Sequence, residues 1–234
     1  MTAGDPAASS LRRDAERNRQ RIIEAARDLC ATRGLEATLN DVAHHAGLGV
    51  GTVYRRFPTK EDLFEAIFEE NINELIALAD TALDYDDSWE GFAWFVLQLC
   101  EITATNRGVR EIVFSKAYGG HKVDRARTQL APRLEALVER AKHDGYLRPE
   151  LSATDMPILG LLSGAVSEFA GHIDCELWRR YTAILLDGMC CHNGQRTLEV
   201  DALSEDCLEA AMHTWHPAGP PCDSRAPALQ EHDS

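Results

Sequence analysis

Between Thr38 and Phe64 the chain reads TLNDVAHHAGLGVGTVYRRFPTKEDLF, and its polar side chains suit recognition rather than bond-making. Lys60 stands in the first turn of an expected helix, where a cation opposes the helix dipole. A phosphate at that end would be held by the dipole, the free N–H groups and Lys60 together. Tyr54 offers a ring face and a hydroxyl, and Gly51 leaves the backbone open to close approach. Val50 has no hydrogen-bonding group, so recognition along this stretch falls to methyl contacts and Arg55. Thr38 and Asn40 are weaker phosphate candidates, since Thr38 also suits a purely capping role.

The elements that position these groups are legible at close range. Thr38 with Asp41, and Thr59 with Asp62, have the spacing of capping boxes that open helices. Leu39, Val42, Ala43 and Ala46 form the apolar stripe of a first short helix. Gly47 supplies the turn, and a second short helix runs from Val50 until Phe57-Pro58 ends it. Two helices around a short glycine turn make a helix-turn-helix, whose second helix enters the DNA major groove.

This segment resembles the DNA-binding domain of the TetR family of transcriptional regulators. The resemblance rests on Ala46-Gly47, Gly51-Thr52-Val53-Tyr54, Phe57, Lys60-Glu61-Asp62-Leu63-Phe64 and the preceding IIEAARDLCATRGLEATL, and covers about residues 18–68. It implies that Val50, Gly51 and Tyr54 face the groove with Thr52 and Arg55 nearby. It further implies a homodimer on a palindromic double-stranded operator, dimerising through its last two long helices, and repression released by a small ligand. A regulator without a ligand, and an activator, are the alternatives.

Charge divides along the chain. Residues 11–60 carry ten Lys+Arg against six Asp+Glu, net +4. Residues 61–234 carry fourteen against thirty-one, net −17, within a total of −14. The basic part coincides with the helix-turn-helix, so the acidic remainder is expected away from DNA. Arg12, Arg13, Arg17 and Arg19 are candidates for an arm along the flanking backbone or a solvated face. No apolar run reaches membrane-spanning length, and MTAGDPAASS lacks a signal-peptide core, so a cytoplasmic protein without membrane contact is expected. Cysteines at 30, 100, 175, 190, 191, 207 and 222 have no C-x-x-C spacing and read as reduced thiols. Cys190-Cys191-His192 lacks zinc-ligand spacing and reads as a helix end. No nucleophile–base pair or phosphate loop is present, so neither catalytic residue, metal nor cofactor is assigned and no enzyme is expected.

The expected fold is all-α, with three domains or segments. They are a three-helix DNA-binding domain (11–62), a helical regulatory and dimerisation domain (63–214) and a disordered tail (215–234). The first helix is expected over about 17–33, stopped by Gly34, and one long helix from Thr59 joins the domains. After the acidic break 84–87, Ser88 is the expected cap of a helix over 89–105. Further helices are expected near 110–116 (ending at Gly119-Gly120), 123–144 (with Pro132 inside), 154–170, 175–190 and 204–212. Gly160 and Gly164, four apart, suit close approach of helices, and the apolar residues from Leu177 to Met189 suit a dimer face. Trp94, Gln98, Glu101, Phe114, Met156, Leu159, Glu168 and Phe169 are the candidates for a mainly apolar ligand pocket, with Glu101 or Glu168 as its polar group. Taken singly, each suits an ordinary core position better than a ligand contact, and Glu101 and Glu168 also suit a water-facing one.

Overall fold

The computed structural model describes residues 6–33, 36–106, 121–192 and 194–214. Gly34, the expected helix near 110–116 with Phe114, Gly119-Gly120 and the tail 215–234 lie outside the described residues, as do the side chains of Arg12 and Arg13. Among the described residues the chain is all-α. Its helices are α1 (Pro6–Arg33), α2 (Leu39–His45), α3 (Val50–Arg56), α4 (Lys60–Leu83), α5 (Ser88–Thr105), α6 (His121–His143), α7 (Asp155–Ala170), α8 (Leu177–Met189) and α9 (Glu205–Thr214). Extended pairing is confined, among these residues, to an isolated antiparallel bridge between Leu147 and Cys190. α1 begins well before the expected 17, because Pro6 suits a first turn and the polar run after it holds no helix breaker.

Two apolar cores share α4. The first gathers Ile22, Ile23 and Ala26 of α1, Val42 and Ala43 of α2, Val53 of α3 and Leu63 to Ile72 of α4. The second gathers Leu75, Ala79 and Ala82 of α4 with Phe92, Phe95 and Val96 of α5, Val138 of α6, Met156 of α7 and Trp178 of α8. Each large side chain so buried contributes about 1.5–3 kcal/mol relative to exposure. Charged contacts fasten α1 along α4: Arg19 to Glu70 at 3.3 Å and Arg27 to Glu74 at 3.0 Å. Arg140 of α6 donates to the carbonyls of Leu83, Tyr85 and Asp86, closing the C-terminal end of α4.

The cap of α5 differs from the expected one. Asp87, not Ser88, accepts from the N–H groups of Trp89 and Glu90, at 2.8 and 2.9 Å. Ser88 is instead the first helical residue, and its buried hydroxyl has no partner among the described residues. A carboxylate has two oxygens to spend where a hydroxyl has one. Asp87 uses the second to accept from Tyr146 Oη at 3.1 Å.

Gly160 faces inward. A Cβ there would lie 3.1 Å from Thr103 Cγ2, so this glycine serves the α5–α7 contact within one protomer. Gly164 is buried on the same face with Ser163. The opposite face of α7, the turn after it and the outer side of α8 leave Leu162, Phe169, Ile173, Tyr181 and Ile184 exposed, Phe169 at 85% and Ile173 at 80%. Monomeric proteins rarely present so many large apolar side chains together.

Candidate nucleic-acid interface

Both capping boxes form as their spacing demands. Thr38 Oγ1 accepts from Asp41 N at 3.2 Å, while Thr38 N donates to Asp41 Oδ2 at 2.9 Å. The Thr38 hydroxyl and backbone together hold the exposed Asp41 carboxyl below its ordinary pKa. Thr59 and Asp62 repeat the arrangement at the start of α4. Each pair satisfies orphan donors of a helix end that then needs no burial to form.

The turn is set by Gly47 at φ +62°, a conformation costly for other residues. Leu48 N donates to Ala43 O at 2.9 Å, completing the end of α2. Arg21, reaching over from α1, donates to Ala46 O at 2.7 Å. That contact was not assigned from sequence, because its partners stand 25 positions apart and no local pattern links them.

α3 separates its residues by face. Val53 and Phe57 are buried in the first core, whereas Val50 and Tyr54 are 47% and 44% exposed. Gly51 has open space where a Cβ would stand. Arg55 lies back along its own helix, with Nε donating to Gly51 O at 3.1 Å and Nη2 to Thr52 Oγ1 at 3.4 Å. Arg56 approaches Glu16 of α1 at 3.7 Å. Thr38 and Asn40 are exposed at the start of α2. Lys60 is half-buried at the start of α4, its Nζ 5.2 Å from the centre of the Phe64 ring. Thus Val50, Gly51, Thr52, Tyr54 and Arg55 share one short helix, with Thr38, Asn40 and Lys60 at the first turns of its two neighbours. The basic arm candidates divide: Arg17 is exposed, while Arg19 is engaged with Glu70 and Glu16.

The pocket candidates occupy several environments. Met156 and Leu159 are buried together in the second core, where Cys100 Sγ donates to Leu159 O at 3.8 Å. Trp94 stacks on Tyr85 with ring centres 5.7 Å apart, and Gln98 is half-buried on the same helix. Glu101 accepts from Arg179 of α8 at 3.0 Å. Glu168 and Phe169 face outward near the end of α7. The structure therefore brings Met156 and Leu159 together and leaves Glu101, Glu168 and Phe169 on outer surfaces. A cluster of three or more metal-ligating side chains is not found among the described residues. Nor, among them, is any helix long and apolar enough to cross a membrane.

Residues 22–67 match the family model described as bacterial regulatory proteins, tetR family. The HTH-type transcriptional regulator SAB2452 of Staphylococcus aureus (strain bovine RF122 / ET3-1) is 40% identical over 67 residues, covering 28% of this chain and 36% of that one. The match therefore spans about a third of that relative's length. Among solved structures, the TetR transcription regulatory protein from Mycobacterium vanbaalenii is 27% identical at a TM-score of 0.56, covering 77% of this chain and 99% of that one. The regulator FadR from Bacillus subtilis, solved in complex with stearoyl-CoA, superposes with a TM-score of 0.53 at 16% identity, over 73% of this chain and 98% of its own. That identity speaks to the fold alone.

Proposed function

We propose that this chain, whose residues 22–67 match the tetR family model, is a homodimeric, ligand-responsive TetR-type repressor reading a palindromic operator. The observation that carries the DNA-binding part is the exposed face of α3, with Val50, Gly51, Tyr54 and Arg55 outward and Val53 and Phe57 fixing the helix from behind. Tyr54, Thr52 and Arg55 meet the groove, while Lys60, Thr38 and Asn40 meet phosphates at the first turns of α4 and α2. The unpartnered apolar side of α7 and α8 supports dimerisation there. Two copies would then present α3 to half-sites about one helical turn apart, ~34 Å or a multiple. The division at 62/63, and a cytoplasmic location, belong to the same reading.

The regulatory part rests on the pocket candidates around Met156 and Leu159 and on the acyl-CoA bound by a fold relative. A small, mainly apolar ligand would act by preferring a state in which the two α3 helices are wrongly spaced. The second reading is a DNA-binding regulator without a ligand. It is favoured by Glu101 being spent on Arg179 and by Phe169 facing outward.

Binding-site selection from random DNA, followed by anisotropy titration of the selected sequence, tests the first part. The expected result is a palindrome bound by the dimer, with Tyr54→Ala abolishing preference for it. Recovery of no preferred sequence sinks the reading. Titrating long-chain acyl-CoA into the protein–operator complex separates the two regulatory readings: release supports the sensor, and unchanged affinity across acyl lengths supports the ligand-free regulator.

A further inference from the structure

Charge ties the exposed helix α3 to its neighbours, in addition to the apolar core behind it. Glu16 of α1 divides its carboxylate between two arginines. Its Oε1 lies 3.6 Å from Arg19 Nη1, and its Oε2 lies 3.7 Å from Nη2 of Arg56, the last residue of α3. Arg19 Nη1 in turn donates to Glu70 Oε1 of α4 at 3.3 Å. Side chains from three helices thus alternate in sign, in the order Glu70, Arg19, Glu16, Arg56. α1 supplies both inner members, one turn apart on the same face.

The links are unequal. One nitrogen of Arg19 faces both carboxylates, and its hydrogen bond goes to Glu70, leaving Glu16 the longer contact. The side chains of Arg19 and Glu70 are each 22% exposed, against 64% for Glu16 and 45% for Arg56. Water and salt therefore screen the Glu16–Arg56 end more than the Glu70–Arg19 end. Glu70 stands on α4 between Phe68 and Ile72 of the first core, and the same helix carries Leu75 and Ala79 of the second. Whatever moves α4 against α1 moves Glu70 against Arg19.

Arg56 ends the helix on which Arg55 is folded back towards Gly51 O and Thr52 Oγ1. A guanidinium at that end suits the phosphate backbone beside the groove, but a phosphate must draw it away from Glu16. We propose that Glu16 is a brake on DNA binding, which holds Arg56 against α1 with a firmness set by the Glu70–Arg19 contact. While Glu70 holds Arg19, the Glu16 carboxylate is left to Arg56. A shift of α4 that parts Glu70 from Arg19 gives Arg19 to Glu16 and releases Arg56 to the phosphate. Glu16 acts through Arg56 without touching DNA, as a positioning residue. An exposed ion pair changes an equilibrium by at most about fivefold, so the brake grades affinity rather than switching it off. The inference rests on the proposed reading of DNA by α3. It needs neither a palindrome nor a ligand, because phosphate is common to every sequence.

A double-mutant cycle in the full chain tests the brake. Binding is read by anisotropy at several salt concentrations, on the duplex recovered by binding-site selection and on a random duplex of equal length. Arg56→Gln should weaken binding to both duplexes and lower the slope of log K against log salt by about one per protomer. Glu16→Gln should tighten binding to both by about threefold or more, and Glu70→Gln should do so to a smaller extent. Both gains should vanish in the Arg56→Gln background. A gain from Glu16→Gln that persists without Arg56 overturns the brake, since Glu16 then repels phosphate directly. A loss of affinity in Glu16→Gln overturns it too, since the contact then only holds α3 in place. An Arg56→Gln protein with wild-type affinity and slope overturns it while operator reading stands. Glu70→Gln without effect, beside a Glu16→Gln gain, overturns the tie to α4. Should Glu70→Gln fail to fold, Glu70→Asp takes its place, because the shorter side chain withdraws the carboxylate from Arg19. Recovery of no preferred sequence sinks operator reading alone, and the cycle is then decided on the random duplex. A wild-type chain that binds neither duplex removes both.

Discussion

Arg21 Nη2 and the carbonyl oxygen of Ala46 stand 2.7 Å apart, so α1 holds the residue immediately before the helix-turn-helix glycine. The last carbonyls of a helix have no internal partner, and a guanidinium is well suited to them. Gly47 follows at φ +62°, and a Cβ there would meet the same Nη2 only at an ordinary 3.7 Å, so the backbone conformation and not crowding requires the glycine. Arg21→Ala should cost about 1 kcal/mol of stability, at the low end for a charge-assisted hydrogen bond because the pair is exposed. It should also weaken operator binding by altering how α3 is held. Urea denaturation alongside anisotropy titration checks both effects, and full retention of both would make the contact incidental.

Lys60→Ala should weaken binding to all DNA sequences alike and lower the slope of log K against log salt by about one. Titrations at four or five salt concentrations supply that slope. A variant that loses affinity with its slope intact would point to the Lys60–Phe64 contact instead.

The Asp87–Tyr146 pair gives stability a defined pH window. The backbone N–H of Glu90, then the Tyr146 hydroxyl and Trp89 N–H, hold the Asp87 carboxyl below its ordinary value of 3.8. A lowered pKa contributes stability above the unfolded value and loses it as pH falls through the folded one. Tyr146 is shifted upward from 10.0 by its hydrogen bond to Asp87 and that residue's charge. A raised pKa contributes below the unfolded value and loses its contribution as pH rises through the folded one. Tyr146→Phe should therefore melt below wild type across the neutral range, with the difference shrinking at both extremes. Thermal melts from acid through neutral to alkaline pH measure it, and a constant difference at every pH would contradict the assignment.

Gly160→Ala should destabilise the protomer, because its new methyl would press on Thr103 Cγ2. Thr103→Ser removes that methyl and keeps the hydroxyl that donates to the carbonyls of Leu99 and Cys100. The double variant should recover much of the loss, giving a coupling of roughly 0.5–3 kcal/mol in a double-mutant cycle. Additive effects would show that α5 and α7 accommodate the methyl by moving apart.

What could be read from sequence follows the range of the interaction. Thr38 with Asp41, and Thr59 with Asp62, act across three positions, so their spacing alone specified the helix starts. Gly47 and Phe57-Pro58 likewise carry their conformations with them. Ser88 misled because it and Asp87 are both good caps, and the choice between them involves Tyr146, far along the chain. Gly160 has the same limit: small-residue spacing signals close approach of helices without naming the neighbour, and here the neighbour is Thr103. Glu101 and Phe169 look alike in an apolar helix pattern whether they point into a cavity or out of it. Arg179 on a later helix engages the first, and the second is left 85% exposed among the described residues.

The continuity of α4 sets a phase relation between the two halves of the chain. Phe68 and Ile72 serve one core, Leu75 and Ala79 the other, and no break intervenes. One residue inserted between Asn73 and Glu74 would turn the second core by about 100° and shift it by about 1.5 Å relative to the first. Seven would nearly restore the angle while lengthening the rod by about 10 Å. Grafting this reading head onto another regulator is thus a problem of gearing: the splice must fall inside α4 and preserve its count of residues.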